Sequence, residues 1–457
     1  MTVTAVLLAA GQGTRMKSDL PKVLHPLLGR PMVLYGLEAA RQVSTETPLL
    51  VIGHEAESIK KTLGETTQFA LQEQQLGTGH AVMQAESLLK DQTDYVLVTY
   101  ADMPLLRVET LQRLVEAQKA NKGPMSVLTV IAEDPRGFGR IVRNPDGTVA
   151  AIVEEVAATE AQRNIKELNV GAYCFSAGWL WYALHQIPLS AKGEYYLTDT
   201  IALAAKENVP VQAIILEDKI ETIGVNTRVH LAEAEAAMRR RINEAHMLNG
   251  VSMIDPVSTY IEAGVSIGAD TVIWPNSYLQ GNTSIGQNCQ VGPNAHIRNS
   301  QVGNGCKVFM SVMEGALLED NVDIGPFARL RKGARLCRGV HMGNFGEVKD
   351  STLGPGVKMG HFSYIGNATI GAETNIGAGT ITCNFDGEKK YATEIGENVF
   401  LGSDTMLVAP LKLGDGARTG AGAVVTKNVP EDTLVVGMPA RAIKKLERKP
   451  KKEGHAK

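Results

Sequence analysis

A glycine-rich turn beside two cations is the first feature of this sequence that could do chemistry. The segment LAAGQGTRM occupies residues 8–16, after an apolar run, and Arg15 and Lys22 carry positive charge close to it. Glycine lets the backbone approach a ligand closely, and successive N–H groups can hold phosphate oxygens. Taken alone, the turn could equally be structural, since it lacks the spacing of a Walker loop or a dinucleotide fingerprint. With its two cations it predicts a phosphate-binding site.

An acidic residue closes a second apolar run. The segment YAD ends at Asp102, at the kind of strand end where open α/β sheets bind their ligands. A carboxylate there suits a Mg²⁺ ion that bridges phosphates. The alternative for Asp102 alone is a helix or turn cap.

A second group of polar residues lies further along the chain. Arg331 and Lys349 could hold a phosphate, and His361 could accept a proton near neutral pH because an imidazole titrates there. A lone histidine is more often a surface or packing residue. However, Tyr364 follows His361 closely, and the repeat described next places Lys349 and Asn384 within one or two coils of it, which favours a shared site.

A six-residue period runs from about residue 264 to residue 426 and positions this second group. Aliphatic residues recur at steps of six, as in Ile267, Ile273, Leu279 and Ile285, and glycine often follows them. A helix repeats at 3.6 residues and a strand at 2, so this period predicts a left-handed parallel β-helix of hexapeptide repeats. One coil holds about 18 residues, which places Lys349 and Asn384 within two coils of His361. The period breaks at residues 379–394, and we expect a loop pushed out of the coil there.

The first half of the chain alternates short apolar runs with helical patterns. Strands are predicted at residues 3–9, 49–52, 95–99 and 125–130, helices at 31–42, 78–90 and 109–120, and a hairpin around the turn NPDG. This alternation predicts a Rossmann-like, mainly parallel sheet covered by helices. The predicted organisation is an α/β domain at 1–226, a linker helix at 227–249, the β-helix at 250–440 and a basic tail at 441–457.

Bulk properties exclude several classes of protein. The net charge of −3 gives no argument for nucleic acid as a partner, and no apolar stretch approaches the ~20 residues that span a bilayer. The N-terminal apolar run is predicted to be a buried strand and not a signal peptide. The 5 cysteines lack CxxC spacing, so neither a disulfide framework nor a zinc site is predicted. A reducing, cytoplasmic location is expected.

The turn GTRM followed by Pro21-Lys22 resembles the signature of the sugar-phosphate nucleotidyltransferases. The resemblance implies that a sugar phosphate attacks the α-phosphate of a nucleoside triphosphate, while Mg²⁺, Arg15 and Lys22 neutralise charge. It implies Asn226 as a second metal ligand beside Asp102. The implied nucleotide-binding residues are Leu8, Ala9, Ala10, Gly11, Gln72, Gly77, Thr78 and Tyr100, and the implied sugar-phosphate contacts are Gly139, Glu154, Asn169 and Asn226.

The hexapeptide repeat resembles the coenzyme A-dependent acyltransferases. This resemblance implies that His361 takes a proton from an amine as the amine attacks the acetyl thioester. Arg331, Lys349, Tyr364 and Asn375 are then the expected acceptor-binding residues. The expected acetyl-CoA-binding residues are Ala378, Asn384, Phe385, Ser403, Ala421 and Arg441. The small residues among them could equally serve only to fit the corners of the coil.

Over nearly its whole length the sequence is similar to the bacterial bifunctional N-acetylglucosamine-1-phosphate uridyltransferase/glucosamine-1-phosphate acetyltransferase family. The likeness is carried by LAAGQGTRM, ELNVG, GVNTR, GHFSYIG and NIGAGTITCNFDG, in that order. It implies UTP and acetyl-CoA as co-substrates, UDP-N-acetylglucosamine for cell-wall precursors as product, and a homotrimer. Phe385 stands where the family usually has tyrosine.

Two other interpretations remain open at this point. The chain could be a single-activity nucleotidyltransferase whose β-helix only assembles subunits, although the length of the coil and the set Arg331, Lys349 and His361 argue against it. It could also be a non-catalytic scaffold, in which case Arg15, Lys22 and Asp102 would have no shared role.

Overall fold

The structure is a computed structural model, and it describes residues 1–445. Contacts between Cα atoms divide the chain into two compact units, Met1–Met238 and the residues from Arg239 onward. The division falls within the helix Arg228–Leu248, where the sequence predicts a linker helix at 227–249. The part of the predicted basic tail at 446–457 lies outside the described residues.

The first unit is built around one twisted sheet. Its main path runs in the order β11-β7-β10-β6-β1-β4-β5, and β8 and β9 form a hairpin attached to β10. The strands are β1 (Val3–Leu8), β2 (Pro26–Leu27), β3 (Arg30–Pro31), β4 (Leu49–Ile52), β5 (Gln68–Leu71), β6 (Tyr95–Tyr100), β7 (Met125–Ile131), β8 (Arg140–Arg143), β9 (Val149–Val153), β10 (Glu167–Ser176) and β11 (Val211–Leu216).

Helices pack on both faces of this sheet, because β1, β4 and β7 are apolar runs that must be buried on both sides. The helices are α1 (Val33–Val43), α2 (Ala56–Leu63), α3 (Thr78–Met83), α4 (Glu86–Leu89), α5 (Val108–Ala120), α6 (Glu160–Arg163), α7 (Ala177–Leu184), α8 (Asp199–Lys206) and α9 (Arg228–Leu248). Short 3₁₀ turns lie at Thr14–Met16, Lys22–Leu24, Gly64–Thr66, Glu155–Ala157 and Lys219–Thr222.

The predicted α/β class is confirmed, with two local differences. The helix predicted at 78–90 is two short helices, α3 and α4. The longest strand, β10, was not predicted; it runs antiparallel between β6 and β7. Its pattern is interrupted by Gly171, which has φ 87° and lies where the register with β7 shifts. A glycine inside an apolar run indicates a turn or a bulge from sequence alone, and here it is a bulge.

The second unit is a left-handed parallel β-helix with three flat faces, as predicted. Face A comprises Ser252–Met253, Val272–Ile273, Gln290–Val291, Lys307–Val308, Asp323–Ile324, His341–Met342, Lys358–Met359, Asn375–Ile376, Phe400–Leu401, Arg418–Thr419, Thr433–Val436 and Arg441–Lys445. Face B comprises Tyr260–Ile261, Tyr278–Gln280, His296–Arg298, Val312–Glu314, Arg329–Leu330, Gly346–Lys349, Ser363–Gly366, Ile381–Cys383, Met406–Val408 and Val424–Val425. Face C comprises Ser266–Ile267, Ser284–Ile285, Gln301–Val302, Leu317–Leu318, Arg335–Leu336, Thr352–Leu353, Ala368–Ile370, Thr393–Ile395 and Leu411–Leu413.

One aliphatic side chain per strand points into the interior, so the core is a set of stacked columns. Leu318, Leu336 and Leu353 form such a column on face C, and all three are buried. The strict period of six does not hold in the middle of the domain. His296 pairs with Val312, so that coil is shorter than 18 residues. The strands keep their pairing, and the corners between them contain fewer residues.

The loop pushed out of the coil is shorter than the segment 379–394 predicted from the sequence. Ile381–Cys383 and Thr393–Ile395 are strands of faces B and C and keep their parallel pairing. Only residues 384–392 leave the coil. At the other end of the domain, Arg441–Lys445 pairs antiparallel with Thr433–Val436, so the first residues of the predicted tail form an edge strand.

Candidate active sites

Gly13 allows Lys22 to lie close against the turn that follows β1. Gly13 has φ 64°, and a Cβ at that position would lie 2.8 Å from the Cβ of Lys22. A larger residue would therefore push the two segments apart. Nothing lies within 4 Å of a Cβ placed at Gly11, so this part of the turn is open for a ligand.

Four residues predicted from separate segments meet beside this turn. The Nζ atom of Lys22 lies 2.5 Å from Asp102 Oδ2 and 3.3 Å from Asn226 Oδ1. Arg15 donates from Nη2 to the same Asn226 oxygen at 3.0 Å. The N–H of Val225 donates to the carbonyl of Asp102 at 2.8 Å, which holds Asn226 at the carboxyl end of β6. Two cations and two side-chain oxygens thus converge on one point.

A cavity of about 330 Å³ opens next to this cluster. The eight predicted nucleotide-binding residues all line it, together with Lys22 and Asp102. Five more residues line it that the sequence interpretation missed: Val23, Gln75, Ala81, Glu194 and Tyr196.

Backbone pairing explains why Glu194 and Tyr196 reach the cavity. Tyr195 donates its N–H to the carbonyl of Leu76 and accepts from the N–H of Gly79, both at 2.8 Å. Gly77 has φ 97°, and a Cβ there would lie 2.6 Å from the Tyr195 carbonyl oxygen. The only signal of this role in the sequence is a polar and aromatic run, GEYYLT, without a chemical pattern of its own.

Three of the predicted sugar-phosphate contacts, Gly139, Glu154 and Asn169, form a separate group that does not line the cavity. Asn169 donates its N–H to the carbonyl of Gly139 at 2.9 Å, and a Cβ at Gly139 would lie 3.7 Å from Glu154 Oε2. Glu154 Oε1 accepts from Thr198 Oγ1 at 3.0 Å. Burial raises the pKa of Glu154 above its usual value, and the bond from Thr198 acts in the opposite direction.

Tyr100 lines the cavity and lies near Glu154 of this group. Burial, with the nearby charges of Glu154 and Asp102, raises the pKa of the Tyr100 phenol well above its usual value. A Cβ at Gly171 would lie 2.6 Å from the Tyr100 ring. The glycine in the bulge of β10 therefore leaves the space that the Tyr100 ring occupies. Because its pKa is raised, the phenol remains a neutral hydrogen-bonding group.

Asp102 and Asn226 fit a divalent cation. Their oxygens already share one ammonium group, that of Lys22, and both are hard oxygen ligands of the kind Mg²⁺ prefers. Within residues 1–445 there is no cluster of three or more His, Cys, Asp or Glu that could hold a metal by itself. A metal at Asp102 and Asn226 would take its other ligands from phosphate and water.

In the second unit, one column of predicted residues lies in the corner between faces A and B. The chain turns through this corner at His361, Ala378, Ser403 and Ala421 in successive coils. Hydrogen bonds stack the corners: Gly379 N donates to Phe362 O at 2.7 Å and Gly422 N to Ser403 O at 2.8 Å. His361 is exposed at the first of these corners.

A cationic group lies near the opposite edge of face B. Arg331 pairs with Glu347 at 3.0 Å, and the pKa of Lys349 is lowered chiefly by the amino group of Lys390, with Arg331 adding to the effect. The sequence interpretation missed Lys390, which the extruded loop brings to this place. Glu347, and Asp350 at 3.8 Å from Lys349 Nζ, offset part of this charge, and the positive charge that remains favours a bound anion.

Tyr364 and Asn384 meet over the same face. A Cβ at Gly366 would lie 2.5 Å from Tyr364 Oη and 2.9 Å from Asn384 Nδ2, so the glycine leaves room for both polar groups. Asn384 Nδ2 donates to Asn367 Oδ1 at 2.7 Å. The side chain of Asn384 is buried and thereby fixed in orientation.

Three predicted residues lie apart from these two groups. Asn375 is on face A, paired with Lys358 and Phe400. Arg441 is on the edge strand that closes face A and is exposed. Phe385 is 58% exposed at the start of the loop, where its backbone bridges that of Lys390.

Comparisons with known proteins agree with both halves of the structure. The nucleotidyl transferase family matches residues 4–239. The bacterial transferase hexapeptide family (six repeats) matches residues 264–299, and the hexapeptide repeat of succinyl-transferase matches residues 393–427. These matches define a nucleotidyltransferase joined to a hexapeptide-repeat transferase.

Full-length relatives narrow the class further. The bifunctional protein GlmU of Streptococcus uberis is 46% identical over 458 residues, covering 100% of this chain and 98% of the relative. The GlmU proteins of Streptococcus agalactiae serotype V and Streptococcus mutans are 44% and 45% identical, over 96% and 100% of this chain and 95% and 98% of their own lengths. The chain belongs to the GlmU family of bifunctional proteins, and it is a uridyltransferase and acetyltransferase, as its motifs predict.

A solved structure described as UDP-glucose pyrophosphorylase complexed with UDP-glucose also matches. It covers 53% of this chain and 100% of its own, with a TM-score of 0.44 and 19% identity. Similarity at this level carries no argument about the present site. Within residues 1–445, no helix is both long and apolar enough to cross a bilayer.

Proposed function

We propose that the cavity at the carboxyl ends of β1 and β6 binds UTP, and that N-acetylglucosamine-1-phosphate attacks its α-phosphate. The observation that carries this proposal is the convergence of Arg15, Lys22, Asp102 and Asn226 beside the cavity. The sugar phosphate oxygen forms the new P–O bond, and pyrophosphate leaves. The attacking phosphate is already anionic, so positioning and charge neutralisation suffice and no general base is needed.

Asp102 and Asn226 would hold Mg²⁺ in this reaction. When bound, the ion would supply positive charge that stabilises the phosphates of the nucleotide. Lys22 and Arg15 place the remaining positive charge at the same point. The sugar would bind against Gly139, Glu154 and Asn169, which lie close together.

For the second unit, we infer that acetyl transfer to glucosamine-1-phosphate takes place along face B. The amine attacks the thioester carbonyl of acetyl-CoA, His361 accepts the amine proton, and the C–S bond breaks to release the thiol. Arg331 and Lys349 would hold the acceptor phosphate. Tyr364 and Asn384 would orient the sugar and the acetyl group, whereas Asn375 lies on face A, outside this group.

The cofactor would lie along the corner column. Ala378, Ser403 and Ala421 present only short side chains there, so a narrow pantetheine arm could run past them toward His361. Phe385 begins the loop between faces B and C and is not part of this column. Arg441 is the candidate for a charged contact with the cofactor's phosphates.

We also propose that the protein assembles as a homotrimer through its β-helix. Phe327, Phe345 and Phe362 are 52%, 60% and 56% exposed in successive corners between faces A and B, and the first two rings stack at 5.2 Å. A continuous exposed apolar strip of this kind favours association with a further copy.

All cysteines are unpaired, which supports a reducing, cytoplasmic location.

The domain limits follow from these roles. We assign residues 1–226 to uridyl transfer, 227–249 to the linker and 250–440 to acetyl transfer.

One assay tests both halves of the proposal. Glucosamine-1-phosphate, acetyl-CoA, UTP and Mg²⁺ are incubated with the full-length protein, and each is omitted in turn while products are followed by mass spectrometry. We expect acetylated sugar phosphate when UTP is left out and UDP-N-acetylglucosamine only when all four are present. Failure to acetylate, with uridylylation of supplied N-acetylglucosamine-1-phosphate intact, would leave only the nucleotidyltransferase.

A further inference from the structure

A buried guanidinium contacts the segments that carry two of the proposed sugar-binding residues, Gly139 and Glu154. Arg140 is 1% exposed and has the largest fully buried side chain among the described residues. It begins β8, where its backbone pairs with Leu168 of β10 and Val153 of β9. A buried charge is costly unless it is paired and hydrogen-bonded, so its partners indicate what it is there to hold.

Each partner of Arg140 lies next to a proposed sugar contact or at the end of a neighbouring helix. Its Nη1 donates to the carbonyl of Phe138, the residue before Gly139, and forms an ion pair with the carboxylate of Glu155, the residue after Glu154. Its Nε donates to the carbonyl of Arg163, at the end of α6, at 3.4 Å.

The carboxylate of Glu155 has Arg140 as its ion-pair partner. Its Oε2 atom is buried and makes no hydrogen bond within the described residues, so the guanidinium compensates for the burial of this atom. Asn169, the third proposed sugar contact, is joined to the same group through its N–H bond to the Gly139 carbonyl. None of these segments lines the nucleotide cavity.

We propose that Arg140 is a positioning residue that sets the affinity for the sugar phosphate and not for the nucleotide. Its guanidinium clamps the segments that carry Gly139 and Glu154 and so fixes the distance between them. It does not touch the reacting atoms. This inference rests on the proposed uridyltransferase function of the first unit.

Lysine cannot replace arginine in such a clamp. An ammonium is a point charge, whereas the planar guanidinium reaches several acceptors in fixed directions. Arg140→Lys keeps the charge next to Glu155 but loses the simultaneous contacts with Phe138 and Arg163. The two sugar-contacting segments would then move relative to each other.

The test is steady-state kinetics of the full-length protein with each substrate varied in turn. We expect Arg140→Lys to raise KM for N-acetylglucosamine-1-phosphate about ten-fold while KM for UTP changes by less than about two-fold, because misplacement by a fraction of an ångström is enough for a loss of this size. Acetyltransferase activity of the same preparation should not change.

Arg143→Lys is the matched control. Arg143 lies on the same strand and pairs with Glu167 through two bonds of 2.7 Å, but its side chain is partly exposed and its partner is not one of the proposed sugar contacts. We expect both KM values of this variant to stay at the wild-type level.

Glu155→Gln covers the case in which Arg140→Lys does not fold. It removes the ion pair but keeps an acceptor, and it should raise the KM for the sugar phosphate in the same selective way by a smaller factor. The inference is overturned if the folded variants shift both KM values together or shift neither. A wild-type protein without uridyltransferase activity would instead refute the proposed function itself.

Discussion

At the scale of the residue, the chemistry of the first unit depends on where its cations stand. Lys22 and Arg15 both contact Asn226, and Lys22 also contacts Asp102. These contacts preorganise positive charge at the mouth of the cavity before any substrate binds. Preorganised charge of this kind usually supplies the largest part of catalysis in phosphoryl transfer.

The first prediction concerns Arg15. We expect Arg15→Ala to lower kcat for uridyl transfer by roughly 10²–10³-fold, the range for losing one preorganised donor, with acetyl transfer unchanged. Both rates are measured on one preparation. Lys61→Ala, at an exposed position on α2, is the control and should alter neither rate. An Arg15 variant with normal uridyl transfer would remove this residue from the mechanism.

The second prediction follows from the pKa of Glu154. Burial raises this pKa, so the carboxylate is protonated at a higher pH than an ordinary glutamate, and the hydroxyl of Thr198 partly offsets the effect. Thr198→Val removes the offset and raises the pKa further. The acid limb of kcat/KM for N-acetylglucosamine-1-phosphate should therefore move to higher pH, measured between about pH 5 and 8.

Thr198→Ser keeps the hydroxyl and serves as the control for this shift. Its acid limb should coincide with that of the wild type. An unchanged limb in the valine variant would show that Glu154 does not accept a hydrogen bond from the sugar.

At the scale of the element, the loop at residues 384–392 extends the acceptor site beyond the coil. It starts with Asn384, whose amide lies over Gly366, and it carries Lys390 to the amino group of Lys349. The flanking strands keep their pairing, so the loop can vary without disturbing the β-helix.

The third prediction compares two neighbouring lysines of this loop. Lys390→Ala should raise KM for glucosamine-1-phosphate about ten-fold, since a charge-assisted contact with phosphate contributes roughly 1.5–3 kcal/mol. Lys389→Ala is the control, because Lys389 forms its contact with Asp386 through its backbone N–H and keeps it. Equal effects of the two substitutions would mean that only the net charge of the loop matters.

Two signals in the sequence were sufficient to predict the fold class of each unit. The period of six predicted the β-helix because a single residue spacing defines all three of its faces. The apolar runs of β1, β4, β6 and β7 predicted the α/β sheet for a similar reason. Strand β10 was missed because Gly171, which makes room for Tyr100, interrupts its apolar run.

The same reasoning applies to the sites. Arg15, Lys22 and His361 could be found from the sequence because their residue types suit a reaction and they stand beside glycine-rich segments. Glu194, Tyr196 and Lys390 could not, because backbone pairing and the path of a loop bring them into place. Arg140 was missed as well, since a buried arginine has no distinct signature among the 46 lysines and arginines of the chain.

At the scale of the whole molecule, the two proposed sets of reactive groups belong to two different compact units. Arg15, Lys22, Asp102 and Asn226 lie in the first, whereas Arg331, Lys349 and His361 lie in the second. No residue is proposed for both reactions. We therefore expect the two activities to be separable by substitution.

The most direct test of this claim is a paired measurement on His361→Ala and Lys22→Ala in the full-length protein. Acetylation of glucosamine-1-phosphate and uridylylation of supplied N-acetylglucosamine-1-phosphate are followed by mass spectrometry. We expect His361→Ala to abolish only acetylation and Lys22→Ala to abolish only uridylylation. Loss of both reactions in either variant, with the protein still folded, would contradict it.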